Sequence, residues 1–265
     1  MNDLVSIIMP SFNTSKYIRD SIDSVISQTY KNWELIIIDD CSTDNTKEIV
    51  SSYKDKRILF FANSENSGAA FSRNRALSLA KGRWIAFLDS DDIWEKEKLE
   101  KQIAFMECNS YHFSYTKYIE FSDNCSKKSY LITGPKIIKK GKMKRYCWPG
   151  CLTVMYDASF VGTLQIEEIK KNNDYAMWLK INEKEDCYLL DSVLGRYRKG
   201  RSGSISNQSI FRLIKWHFLV FKICQKEMFF QAAYHTLQNM FFGVWKKIRY
   251  VRKIENEFTG ISCNN

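Results

Sequence analysis

An α/β fold built on a mostly parallel sheet is what this sequence predicts, and three observations predict it. Short apolar, β-branched runs recur through about the first hundred residues, and stretches of helical periodicity separate them. The runs end on polar or acidic residues: Ser11–Asn13, Asp39–Ser42, Asn63–Gly68 and Asp89–Asp92. Strand and helix in alternation imply right-handed crossovers and parallel pairing. In such sheets ligands collect beyond the carboxyl ends of the strands, which is where these polar residues fall.

Taken in order, Val5–Met9 reads as a buried strand stopped by Pro10. Lys16–Gln28 places Tyr17, Ile18, Ile22, Val25 and Ile26 on one helical face, with Ser15 as its N-cap. Leu35–Ile38 is the second strand, and Ser42, Thr43 and Asp44 open a helix that runs through Tyr53. Ile58–Phe61 is the third strand, Gly68–Ala80 an alanine- and leucine-rich helix, and Trp84–Leu88 a fourth strand ending at Asp89. No G-x-G-x-x-G follows the first strand, which argues against a dinucleotide-binding fold.

At 265 residues, 45% hydrophobic and 14% aromatic, the chain can bury a sizeable core, and three prolines with eleven glycines leave little room for linkers. The net charge of +10 is regional: six basic residues and no acid lie between Lys136 and Arg145, and nine basic residues against Glu227 alone lie between Arg212 and Lys253. Phosphate-bearing substrates or an anionic membrane face suit this charge. Nucleic acid suits it less, because no DNA or RNA module surrounds these stretches. The eight cysteines follow no zinc or thioredoxin spacing and read as reduced, mostly buried thiols of a cytosolic protein. No secretory signal is expected at the N-terminus and no bilayer-spanning run is present.

Leu88-Asp89-Ser90-Asp91-Asp92 sets two carboxylates at i and i+2 after a strand. Their repulsion is relieved by a hard divalent cation, which takes oxygen ligands and keeps phosphate oxygens in its shell. An acid in a turn is by itself an ordinary cap, as for Asp44 or Asp92, but four polar turns at one sheet edge are not ordinary.

Four segments then resemble one family in its order and spacing: Val5-Ser-Ile-Ile-Met-Pro-Ser-Phe-Asn13, Gln28 through Asp44, Asn66-Ser-Gly-Ala-Ala-Phe-Ser-Arg-Asn-Arg-Ala76, and Phe87-Leu-Asp-Ser-Asp-Asp92. They resemble the family 2 inverting glycosyltransferases, which have the GT-A fold. The resemblance implies a GT-A-like domain over 1–206, with a nucleotide-sugar half to about residue 100 and an acceptor half over 101–206. A basic amphipathic helical extension over 207–265 follows. It implies that Pro10 and Phe12 line a base pocket, the Phe12 ring stacking on a pyrimidine, and that Asp40 accepts a uracil N–H. Gly68 and Arg73 face the donor, and Asp89 and Asp91 hold Mn2+ or Mg2+, Asp91 being the more direct ligand.

An inverting transfer also needs a base on the far side of the sugar. Asn173-Asp174-Tyr175-Ala176-Met177-Trp178-Leu179, the start of an amphipathic helix, resembles the family's acidic pair followed by Trp-Leu. The resemblance makes Asp174 the base; Asn173 stands where the family has Glu. Arg196–Ser206 resembles a loop that closes over the diphosphate, which gives Arg198 and Arg201 that task. The Gln-x-x-Arg-Trp of polymerising relatives is missing, Ala80 preceding Arg83-Trp84, so one sugar per encounter is expected.

The expected partners are a UDP-sugar donor, a saccharide or lipid-pyrophosphate-linked acceptor, and the inner face of the cytoplasmic membrane, with no nucleic acid. The aromatic and basic C-terminal stretch suits a peripheral, interfacial seat. Two other readings remain at this point. A nucleotidyltransferase should show a glycine-rich basic loop after the first strand, where Ser11–Lys16 has no glycine. A non-catalytic nucleotide-sugar- or membrane-binding protein would have no use for Asp174.

Overall fold

The computed structural model describes residues 3–123, 128–167, 169–200 and 210–254. Val5–Ser11 forms β1 and Ile18–Ile26 α1; Trp33–Asp39 is β2, Thr46–Ser52 α2, Ile58–Ala62 β3, Gly68–Leu79 α3 and Trp84–Phe87 β4. The four strands are parallel and lie in the order β4-β1-β2-β3. β1, β2 and β4 are buried along their whole length, so they read as continuous apolar runs. Val5, Ile7, Met9, Leu35, Ile37 and Trp84 pack on the face covered by α1 and α2. Ile8, Ile36, Ile38, Ile85 and Phe87 pack on the other face, with α3.

The chain then adds Ile93–Trp94 (β5), Lys98–Cys108 (α4), Phe113–Phe121 (β6), Ser129–Ile132 (β7), Ile137–Ile138 (β8) and Met155–Asp157 (β9). Ala158–Val161 (α5), Asn173–Asn182 (α6), Cys187–Arg198 (β10), Ile210–Leu219 (α7), Phe229–Arg249 (α8) and Val251–Ile254 (β11) complete it. The main path of the mixed sheet is β11-β7-β6-β9-β4-β1-β2-β3, with β9 antiparallel to both β4 and β6. β10 lies parallel to β6 and carries β5 and β8. Strand order reverses between β1 and β4, and at such a switch point the carboxyl-end loops diverge and leave a crevice.

Several local expectations change. Pro10 does not stop β1, which runs on to Ser11. Leu88 N–H donates to the Ile8 carbonyl at 3.1 Å, so even-numbered backbone groups face β4. β4 has ended by the level of Pro10, and no N–H is needed there. Ser15 is not a cap: its N–H donates to Asp44 Oδ2 at 3.0 Å, and α1 begins at Ile18. α6 is buried on nearly every side rather than amphipathic. The C-terminal segment is not all helix, since β11 pairs antiparallel with β7 and returns the chain to the sheet. Of the six described cysteines, all free, Cys187 and Cys224 alone are buried, and Cys41 and Cys108 are exposed; Cys125 and Cys263 lie outside the described residues.

A lysine lies inside the core. Lys98 is buried at the start of α4, its ammonium over the Trp94 ring at 4.3 Å and donating to Gln102 Oε1 at 2.6 Å. Burial pulls its pKa from 10.5 down to about 7. The folded chain sheds this proton near pH 7 while the unfolded chain keeps it to about 10.5, so stability rises with pH across that window. Urea unfolding at pH 7 and pH 9 is expected to show that rise in the wild type and to lose it in Lys98→Met; equal slopes would contradict the assignment.

Candidate active site

The carboxyl ends of β1, β2 and β3 are tied to one another by their own polar residues. Asp40 N–H donates to the Ser11 carbonyl, and Asn63 N–H to the Asp39 carbonyl, both at 2.8 Å. The Asp40 carboxylate is the hub of this edge. Its Oδ1 accepts from Asn63 Nδ2 at 2.8 Å and Ser67 N at 2.9 Å, and its Oδ2 accepts from Gly68 N at 2.7 Å. Asp40 thereby serves the orphan N–H groups at the start of α3. Gly68 enters that helix at φ +88°, a conformation that disfavours any side chain. A carboxylate oxygen has two lone pairs, so Oδ2 keeps one acceptor position.

Next along the edge, Pro10 is buried inside β1, whereas the Phe12 ring is 44% exposed beyond its end. Asn13 Oδ1 accepts from Thr43 N at 2.8 Å and Asn13 N–H donates to Ser42 Oγ at 2.8 Å, so the loop carrying Phe12 is stitched to the loop after β2.

Across the switch point, Arg73 of α3 reaches the turn after β4. Its Nη2 donates to Asp89 Oδ1 in a close ion pair, and its Nη1 donates to Asn173 Oδ1 at 2.7 Å. One buried guanidinium therefore joins α3, the acidic turn and the first residue of α6. Burial works against its charge, but Asp89, with Cys151 and Asp174 beyond it, outweighs burial and raises its pKa. Asp174, beside Asn173, is partly accessible, and its Oδ1 accepts from Tyr175 N at 2.8 Å. Burial raises the Asp174 pKa, and Arg73 offsets part of that rise. α6 is held there by Trp178, fully buried and edge-on to Phe87 with centroids 4.9 Å apart. Phe87 lies two residues before Asp89, so one aromatic contact fixes both acidic elements.

The rest of the turn is braced by the end of β10. Arg198, at the end of β10, is buried and donates from Nε to the Asp91 carbonyl at 3.0 Å. Its Nη2 donates to Asp20 Oδ2 at 3.0 Å and its Nη1 to Asp123, and the guanidinium lies over the Tyr17 and Phe121 rings. Its backbone N–H donates to Asp92 Oδ1 at 2.9 Å. Arg201 lies outside the described residues.

The acidic turn offers carboxylate oxygens to a divalent ion. Asp91 and Asp92 are buried, and Asp92 Oδ2 has no hydrogen-bond partner. Burial, then the charges of Asp91 and Asp89, lifts the Asp92 pKa well above the usual carboxylate range. Among the described residues no three His, Cys, Asp or Glu side chains gather into a ready metal cage. An all-oxygen, crowded and incomplete set fits a hard cation that draws its remaining ligands from a bound phosphate, and does not fit one caged by protein alone.

Residues 6–161, more than half of the chain, match Glycosyl transferase family 2. The chain belongs to this family. It is 38% identical over 238 residues to a putative teichuronic acid biosynthesis glycosyltransferase, TuaG, of Bacillus subtilis, covering 89% of this chain and 94% of that one. It is 41% identical over 217 residues to the UDP-Glc:alpha-D-GlcNAc-diphosphoundecaprenol beta-1,3-glucosyltransferase WfaP of Escherichia coli, covering 80% and 84%. In structure it resembles S. aureus TarS 1-349 in complex with UDP-GlcNAc, with a TM-score of 0.66 at 23% identity. That match covers 82% of this chain and 65% of that one, and at this identity it speaks for the GT-A fold.

As a family 2 glycosyltransferase the chain is an enzyme, and the nucleotidyltransferase and non-catalytic readings fall away. Of the residues singled out in the sequence, Arg73, Asp89 and Asp174 come together at the switch point, with Asp91 two positions on in the same turn. Asp40 and Gly68 bind each other one strand over. Arg198 meets the turn at the Asp91 carbonyl, and its other donors go to Asp20 and Asp123. Three residues went unread in these roles: Asn173 as the acceptor for Arg73, Asp92 as an acid buried beside Asp91, and Cys151, half-buried with its pKa raised by burial and Asp89. The Asn173 departure from the family's Glu was one signal, and Asp92 stood in the acidic turn where it reads as an ordinary cap; Cys151 carries no pattern. The three histidines stay out of the site, His112 meeting Asp157 and His235 meeting Glu227 at 2.8 Å, with His217 buried.

Arg198→Gln is expected to weaken UDP binding in the presence of Mn2+ by about tenfold, the scale of one charge-assisted bond to the turn, while leaving metal-free UDP binding unchanged. Calorimetry with and without the ion separates this from direct phosphate contact, which would lower both affinities equally.

Proposed function

We propose that this glycosyltransferase moves a single sugar, with inversion, from a UDP-sugar to a saccharide carried on a lipid diphosphate, in the synthesis of a bacterial surface polysaccharide. In this reading the enzyme works as a peripheral protein on the inner face of the cytoplasmic membrane. The observation that carries it is the Arg73 bridge, which sets an acidic turn suited to a metal-bound diphosphate beside a second carboxylate, Asp174, on another element. The relatives support the substrates. WfaP is named for a UDP-Glc donor and a diphosphoundecaprenol acceptor, and TuaG for teichuronic acid biosynthesis. Among the described residues no helix is long and apolar enough to cross a membrane.

The donor's base would stack on the exposed Phe12 ring, two residues after the buried Pro10 of β1. The remaining acceptor position on Asp40 Oδ2 would take the imide N–H of uracil, and Gly68 holds that carboxylate at its angle. Asp91 and Asp89 would hold Mn2+ or Mg2+, which when bound neutralises charge on the leaving diphosphate. Arg73 keeps Asp89 in place and Arg198 keeps the turn in place. An acceptor hydroxyl gives its proton to Asp174 as its oxygen attacks the anomeric carbon, and the bond to UDP breaks on the opposite face.

A base must be deprotonated, so turnover should climb as pH rises through the raised Asp174 pKa, with an acid limb above the ordinary carboxylate value of 3.8. Asp174→Asn is expected to lower kcat by about 10²–10⁴-fold and to remove that limb, with UDP affinity unchanged. Retained turnover in a folded Asp174→Asn chain would take the residue out of the reaction.

A further inference from the structure

α8 is built inside out for a helix in water. Its inner side sets Ala232, Thr236 and Asn239 against the domain, with Gly243 against the Tyr146 ring and Phe242 against Trp148. Its outer side carries Phe230, Tyr234, Leu237, Phe241, Val244 and Ile248, at steps of three and four residues, all exposed; Phe230 is 84% and Ile248 74% accessible. A globular helix turns such a stripe inward, and an uncovered stripe of this length marks an interaction surface. α7 continues the pattern, with Phe211, Leu213 and Ile214 exposed beside Arg212 and Lys215.

The charge around the stripe selects the partner. Lys247 and Arg249 stand exposed at its C-terminal end, and Lys222 and Lys226 stand exposed in the segment before α8. The one acid between Arg212 and Lys253, Glu227, is buried and already meets Lys144 at 3.1 Å and His235 at 2.8 Å. A second copy of this chain would bring apolar residues and more lysines, with no acid to answer them. An anionic lipid surface brings both an apolar layer and phosphates.

We infer that the outer face of α8 is a membrane-binding surface lying in the plane of an anionic bilayer, an inference that rests on the proposed lipid-linked acceptor and names the element that meets the lipid. An in-plane helix of this kind sinks its apolar face to the acyl boundary and sets its basic residues among the headgroups. The same helix is fastened to the acceptor side of the cleft. Asn239 Nδ2 donates to the Lys144 carbonyl at 2.8 Å, Lys246 Nζ to the Trp148 carbonyl at 3.0 Å, and Tyr175 Oη to the Met143 carbonyl at 2.9 Å. Residues 143–148 therefore link the lipid-facing helix to the residue next to Asp174, so that a saccharide on a lipid diphosphate arrives beside the base.

The test is co-sedimentation of the full chain with vesicles of phosphatidylglycerol and phosphatidylcholine, or of phosphatidylcholine alone. The wild type is expected to bind the anionic vesicles preferentially and to release with salt. The exposed-face variant Leu237→Ser/Phe241→Ser/Ile248→Ser should bind about tenfold less or weaker still, and Lys247→Glu/Arg249→Glu should lose the anionic preference. Both should keep the wild-type UDP affinity and melting temperature. Wild-type binding by the triple variant, or no vesicle binding by the wild type, would overturn the inference. So would a solution dimer that the triple variant abolishes while vesicle binding persists, because the face would then be covered by a second copy. Failure of the wild type to bind UDP would count against the transferase substrates and leave the lipid result standing.

Discussion

A single buried guanidinium organises this protein. Arg73 leaves α3, pairs with Asp89 after β4 and bonds Asn173 at the head of α6. Without it, Asp89 and Asp174 would lose the buried cation they share. Removing one partner of a buried pair typically costs about 3–5 kcal/mol because the other charge is left uncompensated. The arrangement therefore stores acidity at the sheet edge, stable enough to fold and still short of ligands.

The parallel half of the sheet makes that edge possible. β1, β2 and β4, buried on both faces, fix their carboxyl ends in one row, and the order reversal beside β1 opens the crevice. Each loop of the row is then held by a polar residue bonded to its neighbour: Asn13 to the loop after β2, Asp40 to the start of α3, Arg198 to the acidic turn. Phe87 and Trp178 do the equivalent work below the surface, joining the acidic turn to the helix of Asp174 through one ring contact.

Local chemistry was legible in the sequence, and long-range chemistry was not. Apolar runs give the strands away because they are buried on both faces, and the acids after them announce the edge. Pro10 misled because only the length of β4 decides whether its missing N–H matters. Ser15 misled because the helix starts three residues later, at Ile18, and Asp44 of another loop holds Ser15 in the turn before it. Arg198 looks like a loop cation in sequence, and only the fold shows that its donors turn inward to Asp20, Asp91 and Asp123 across separations of 178, 107 and 75 positions. The outward stripe of α8 has the same heptad-like pattern that an inward stripe would have, so periodicity finds the helix and cannot say which side faces the core.

The most direct test is anomalous diffraction from crystals grown with UDP and Mn2+. The ion should appear at about 2.0–2.2 Å from an Asp91 carboxylate oxygen and from oxygens of the diphosphate, with the base over Phe12, the range expected for a small hard cation and oxygen ligands. An ion or a nucleotide bound away from the β1–β4 edge, with the Asp89–Asp92 turn untouched, would contradict the account.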